Sequence, residues 1–151
     1  MDTYSLGGML TRDRSEWAAL TAILDSRPAD SMHSARDPDW NARDVYNHFA
    51  RWIDHSTNDF EAMLTSGQGI PRPAGTDDEI NARWRSEDAN LSLDEARERA
   101  QRAFDRRVAV VQSVLPDRWN PMLDQIAVAD GWEHIEAHRK YIESADARRR
   151  V

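Results

Sequence analysis

The chain has 151 residues, of which 40% are hydrophobic and 31% charged, a composition typical of a globular protein rather than a disordered one. Its net charge of −7 argues against nucleic-acid binding, which needs a basic surface, and no apolar run reaches the roughly 18 residues of a membrane span. The absence of cysteine excludes disulfides, thiolate ligands and a cysteine nucleophile. We therefore expect a single cytoplasmic domain over residues 1–151. The single lysine against nineteen arginines indicates a GC-rich bacterial genome.

Apolar residues recur at helical spacing along most of the chain, and no segment alternates strictly between apolar and polar residues. We predict a first long helix over about residues 9–27, ended by Pro28. A polar loop follows. Asn41 is the predicted N-cap of a second long helix that runs to about residue 65.

Two short motifs predict the next helix starts. Thr76 is the predicted cap of a short helix over about residues 77–87, after a loop rich in glycine and proline. Ser92 and Glu95 form a capping-box pattern at the start of the third long helix. Pro116 ends that helix, because proline cannot continue the backbone hydrogen bonding.

The last helix is predicted to follow an irregular connection over residues 117–129. Asp130, with Glu133 at the third helical position, opens it, and it runs to about residue 147. Four long helices predict an all-α, four-helix bundle. The link between the second and third long helices contains the short helix and is long enough for a crossover.

Three histidines carry the strongest functional signal. His134 and His138 lie four residues apart, so they share one helix face, and Ile135 and Ile142 place that face inward. His48 lies on the apolar side of the second helix. Three neutral imidazoles that converge inside a bundle can bind one divalent ion and leave coordination positions open, as catalytic sites do. The alternative is that they are buried histidines satisfied by ordinary hydrogen bonds.

The residues expected to line a substrate pocket beside these histidines follow from helix phase. Trp52 and His55 lie on the same side of the second helix as His48, and Tyr141 follows His138 by three residues. The short helix, which carries Asn81 and Trp84, can lie across the opening of the pocket. Ordinary packing or surface exposure is the alternative for each of them. The predicted set is Trp52, His55, Asn81, Trp84 and Tyr141.

Three segments, in this order and spacing, resemble motifs of the DinB-like (DinB/YfiT) superfamily. They are WNARDVYNHFARW at residues 40–52, DDEINA at residues 77–82 and DGWEHIEAH at residues 130–138. The likeness is loose and extends over about residues 40–142. Residues 81–84 suit either the generic group or its ClbS/DfsB-type branch.

The resemblance implies a four-helix bundle with up-down-down-up topology and a divalent metal, zinc or nickel, held by three histidines. The matching positions are His48, His134 and His138. In one set of relatives, which includes mycothiol-dependent maleylpyruvate isomerase and bacillithiol transferases, a low-molecular-weight thiol reacts near the metal. The ClbS/DfsB-type branch includes a hydrolase that opens a reactive cyclopropane.

Two functions from different classes follow. The first is a metal-dependent enzyme, either a small-thiol transferase or a hydrolase, that acts on a small reactive molecule. The second is a non-catalytic bundle that binds a small molecule, or a dimeric stress-response protein with a vestigial metal site. Beyond Arg51, Arg83 and Arg85, no basic cluster stands out that would bind an anionic thiol cofactor.

A homodimer is expected, partly because DinB-like relatives often pair through helices. The side chains proposed to allow close helix contact are Trp17, Ala96, Ala100 and Ala103. The alternative is that they complete the core of the monomer. All three proposed metal ligands belong to one chain, so the dimer is not expected to build the metal site.

Overall fold

The computed structural model describes residues 6–27 and 40–149, which form helices joined by loops and turns with no strand among them. The predicted polar loop between the first two helices falls on residues 28–38, outside the described residues. The helices are α1 (Leu6–Asp25), α2 (Ala42–Ser66), α3 (Asp77–Glu87), α4 (Leu93–Gln112), a 3-10 helix (Pro116–Arg118), α5 (Pro121–Ala129) and α6 (Trp132–Arg149). The all-helical class is thus confirmed.

The caps predicted at Thr76 and Ser92 are present, whereas the last helix, predicted to open at Asp130, begins at Trp132. The Thr76 side chain accepts a hydrogen bond from the Glu79 backbone N–H, and the Glu79 carboxylate accepts one from the Thr76 N–H. Ser92 and Glu95 make the same reciprocal pair at the start of α4. These bonds satisfy backbone donors that the first turn of a helix leaves without partners, so they define where each helix begins.

The prediction of an irregular connection over residues 117–129 was wrong. After the 3-10 helix, α5 begins at Pro121, and the Asn120 side chain accepts hydrogen bonds from the N–H groups of Met122 and Leu123, both at 3.0 Å. Asparagine at the N-cap and proline at the first helical position together favour a helix start. Leu123 and Ala127, one turn apart, are buried, so packing stabilises this short helix.

The described residues form two compact units. The first comprises residues 6–27, 40–42 and 128–149, and in it α1 packs against α6. The buried Asp13 carboxylate, in the middle of α1, accepts a hydrogen bond from the Trp132 N–H at the start of α6. The buried apolar side chains of the two helices are Met9, Leu10, Trp17, Leu20, Leu24, Trp132, Ile135, Ile142 and Ala145.

The second unit, residues 43–127, holds α2, α3, α4, the 3-10 helix and α5. Its core comprises Val45, Phe49, Ile53, Phe60, Ile80, Ala96, Ala100, Ala103, Phe104, Val111 and Leu123. Side-chain hydrogen bonds reinforce the packing. The Trp52 indole donates to Asn81 on α3, and Arg106 on α4 donates to Asn58 on α2.

The side chains proposed to mediate dimer contact are buried within the single chain. Trp17 is 4% exposed, and Ala96, Ala100 and Ala103 are at most 2% exposed. They complete the core of the monomer, so a dimer has to form through other surfaces, and the homodimer itself stays a prediction. Along residues 6–27 and 40–149, every helix is too short or too polar to cross a membrane.

Candidate metal centre

Helix α6 presents His134 and His138 on the face predicted from their spacing. Their ring centroids lie 4.9 Å apart, and Ile135 and Ile142 on the same side of the helix are each 1% exposed. His138 is 9% exposed. The i, i+4 spacing of an α-helix brings the two rings together, and the packing of the apolar face turns them inward.

Burial sets the protonation state of His134. Removal of the ring from water lowers its pKa from 6.5 to about 4, because the charged imidazolium loses its hydration. The ring is therefore neutral at physiological pH. A neutral imidazole has a lone pair available, and this is the form that binds a metal ion.

Helix α2 supplies the third histidine. His48 is 8% exposed, and its ring meets Phe49 edge-on with centroids 5.4 Å apart. The apolar stripe of α2, which includes Val45 and Phe49, buries this part of the helix and carries His48 with it.

The three histidines form the cluster expected of metal ligands. His48, His134 and His138 each offer one ring nitrogen, and these nitrogens all lie within 4.8 Å of one another. Two nitrogens on one tetrahedral zinc ion are about 3.3 Å apart, so side-chain movements of about 1.5 Å or less bring the set onto one ion. Three imidazoles suit zinc or nickel, and they leave at least one coordination position for another ligand. The donor set thus fits a divalent metal.

Four of the five predicted pocket residues lie together in the second unit. The Trp52 Nε1 donates to Asn81 Oδ1 at 2.8 Å, and the Trp52 and Trp84 ring centroids are 4.9 Å apart. The His55 ring meets Trp52 edge-on at 5.9 Å. Trp52 follows His48 by one helical turn, so the cluster of Trp52, His55 and Trp84 lies next to the part of α2 that carries His48. Its role as a pocket wall stays a prediction.

Tyr141, the fifth predicted pocket residue, lies on α6 in the first unit. Its ring meets the His138 ring edge-on with centroids 6.0 Å apart. The spacing of three residues accounts for the contact, because i and i+3 side chains are neighbours on a helix surface.

The arginines considered as a basic site are occupied by internal partners. Arg51 donates from Nε and Nη2 to the Asp88 carboxylate at 3.0 and 2.8 Å and also contacts Glu87. Although burial raises the pKa of Asp88, hydrogen bonds and charge from Arg51 and Arg99 lower it below its usual value. Arg83 donates to the Ala74 carbonyl. These guanidinium groups therefore hold the loop and helix ends of the second unit in place.

The sequence did not predict the role of one charged residue, Asp13, which contacts the helix that carries His134 and His138. Asp13 on α1 is 0% exposed, and its Oδ1 accepts a hydrogen bond of 2.9 Å from the first backbone N–H of α6. The two residues are 119 positions apart. The only sequence signal is an acidic residue on the apolar side of an amphipathic helix, which shows that a partner is needed but not which one.

No family model, curated protein or solved structure matches the chain. The likeness of residues 40–52, 77–82 and 130–138 to DinB-like proteins accordingly remains a resemblance of motifs.

Proposed function

We propose that the protein is a divalent-metal-dependent enzyme that acts on a small reactive molecule, with a DinB-like bundle as its scaffold. One observation carries the proposal: ring nitrogens of three histidines, from two helices, lie within 4.8 Å of one another. A single divalent ion would bind one ring nitrogen from each of the three histidines. The up-down-down-up topology belongs to the proposal as well.

A divalent ion held by these residues would supply Lewis-acid chemistry, either lowering the pKa of a coordinated water towards 7 or holding a thiol as its thiolate. The chain's own residues provide the rest. His134 is kept neutral by burial, so it is ready to bind without first losing a proton. The Trp52 and Trp84 rings offer an apolar surface for a substrate, and Tyr141 adds a hydroxyl group beside His138.

Hydrolysis is the reaction that these surroundings favour over thiol transfer. A charged thiol cofactor needs basic groups that are available to bind it. Arg51 is engaged by Asp88 and Glu87, and Arg85 forms an ion pair with Asp44, which is 5% exposed. Because these guanidinium groups already have carboxylate partners, they are less available to an anionic cofactor, which favours an uncharged substrate near α2. Thiol transfer stays as the alternative chemistry, with the low-molecular-weight thiol as its cofactor.

The metal site can be tested by titrating the untagged, metal-free protein with Co²⁺ and recording visible absorption. We expect one Co²⁺ per chain with the absorption bands of a low-coordinate histidine site, and loss of those bands in His48→Ala. His55→Ala is the matched control, since it removes a histidine from the same helix but not from the cluster, and it should bind as the wild type does. Equal Co²⁺ affinity in His48→Ala and the wild type would contradict the site.

The reaction class needs a separate test. The zinc-loaded protein should hydrolyse 4-nitrophenyl acetate with an apparent pKa near 7, and His48→Ala should lose that activity. Equal rates with and without zinc would contradict a catalytic role and favour the non-catalytic bundle. Turnover of an electrophile only when 2-mercaptoethanol is added, with a new thiolate-to-cobalt band in the Co²⁺ protein, would identify the thiol transferase instead.

A further inference from the structure

The first turn of α6 is held by a residue of another helix. The first backbone hydrogen bond within this turn runs from the Ile135 N–H to the Gly131 carbonyl at 3.2 Å. Gly131, at the N-cap position, has no side chain to cap the turn. The Trp132 N–H instead donates to the carboxylate of Asp13 on α1 at 2.9 Å. A side chain of α1 thus performs the capping that a serine or aspartate at the N-cap usually performs.

Asp13 is committed to this contact. Its side chain is 0% exposed, and a carboxylate removed from water is tolerated only where hydrogen bonds or charges compensate. The N-terminus of a helix supplies both, because its N–H groups and its dipole favour a negative charge. The neighbouring Arg12 reinforces the contact, since its guanidinium lies 3.5 Å from the centroid of the Trp132 ring and also pairs with Glu136.

The capped turn carries one of the proposed metal ligands. His134 is the third residue of α6, within the turn that Asp13 holds, and His138 is one turn further on. A helix turn that loses its cap frays, whereas metal–nitrogen distances tolerate errors of only about 0.2 Å. Small displacements at Trp132 therefore reach the ring of His134 before they reach that of His138.

We propose that Asp13 is a positioning residue of the metal centre: from α1 it fixes the first turn of α6 and thereby places the His134 ring. The proposal rests on the proposed metal-binding function for its consequence, but the capping contact itself is a property of the metal-free protein. Asp13 is proposed to position a metal ligand and not to bind the ion, and it does so through its hydrogen bond with the backbone of Trp132.

The test compares Asp13→Ala with Asp13→Asn, because the asparagine amide oxygen can still accept the hydrogen bond. Asp146→Asn is the control, since it removes an ion pair between Arg27 and α6 two turns beyond His138. We expect Asp13→Ala to weaken Co²⁺ binding by about tenfold or more, the range typical of residues that orient metal ligands. Asp13→Asn should restore most of the affinity. Asp146→Asn should lower thermal stability but leave both the affinity and the cobalt spectrum unchanged.

Amide hydrogen exchange of the metal-free proteins tests the capping role of Asp13 separately from the proposed metal-binding function. Asp13→Ala should speed exchange at residues 132–135, and Asp13→Asn should do so less. If the wild type binds no Co²⁺ but these exchange rates change as expected, the capping role stands and the metal function fails. Unchanged exchange in Asp13→Ala, or an equal loss of Co²⁺ affinity in Asp13→Ala and Asp146→Asn, would overturn the positioning role. If Asp13→Ala does not fold, Asp13→Asn is compared with Asp13→Leu, which has a similar size but no acceptor.

Discussion

The partly buried His134 predicts an acid-sensitive fold in the metal-free protein. Its pKa is about 4 in the folded chain against 6.5 for an exposed histidine. Between these two pH values the unfolded chain binds a proton at His134 that the folded chain does not. The free energy of unfolding therefore falls as the pH falls through this window.

The size of the effect follows from the difference in pKa. One pKa unit corresponds to about 1.4 kcal/mol, so a shift from 6.5 to about 4 amounts to about 3 kcal/mol. This contribution is fully present above pH 6.5 and lost below about pH 4. For a domain of this size, about 3 kcal/mol is a substantial part of the total stability, which typically lies at 5–15 kcal/mol.

Urea denaturation across this pH window, with a chelator present, measures how far the free energy of unfolding falls. The wild type should lose about 3 kcal/mol more than His134→Gln, whose side chain stays neutral over the same range. Only the difference in pH dependence matters, so a uniform destabilisation of the variant does not affect the result. His55→Gln controls for the removal of a histidine outside the cluster. Parallel curves for the wild type and His134→Gln would refute the argument.

Further predictions concern the metal and the second unit. His138→Ala should lower the melting temperature mainly when Zn²⁺ is present, since an ion at a hundredfold excess over its Kd stabilises the native state by about 2.7 kcal/mol. Equal shifts of the melting temperature with and without a chelator would make His138 a packing residue. Asp88→Asn should lower the free energy of unfolding by about 2 kcal/mol in urea titrations, because Arg51 loses its bidentate partner and keeps only Glu87. A change within experimental error would contradict that role. Asn81→Ala should cost about 1 kcal/mol and alter Trp52 fluorescence through loss of their hydrogen bond, whereas an unchanged emission spectrum would argue against that contact.

Features set by near neighbours in the chain were predictable from the sequence. The capping box of Ser92 and Glu95 and the cap at Thr76 depend on residues three positions away, and both were predicted, although the part that Glu79 plays at Thr76 was not. The shared face of His134 and His138 likewise follows from helical geometry alone. The helix around Leu123 was missed because it has only nine residues, too few for its apolar periodicity to be decisive.

Features that depend on distant residues were not predictable in the same way. Nothing near Asp13 in the sequence indicates that it caps a helix 119 residues later, because the contact exists only once α1 packs on α6. The burial of Trp17 and Ala100 in the monomer core was equally undecided, since an apolar helix face can pack within one chain or between two. The pairing of Arg51 with Asp88 required the position of α3 relative to α2.

Elemental analysis of untagged protein, purified without added metal, tests the central claim most directly, since an affinity tag would add histidines of its own. We expect about one divalent ion per chain, zinc or nickel, in the wild type and in His55→Ala, and a loss of that ion in His48→Ala, His134→Ala and His138→Ala. A wild type without stoichiometric metal, or metal that remains when each of the three histidines is replaced, would contradict a metal centre built from His48, His134 and His138.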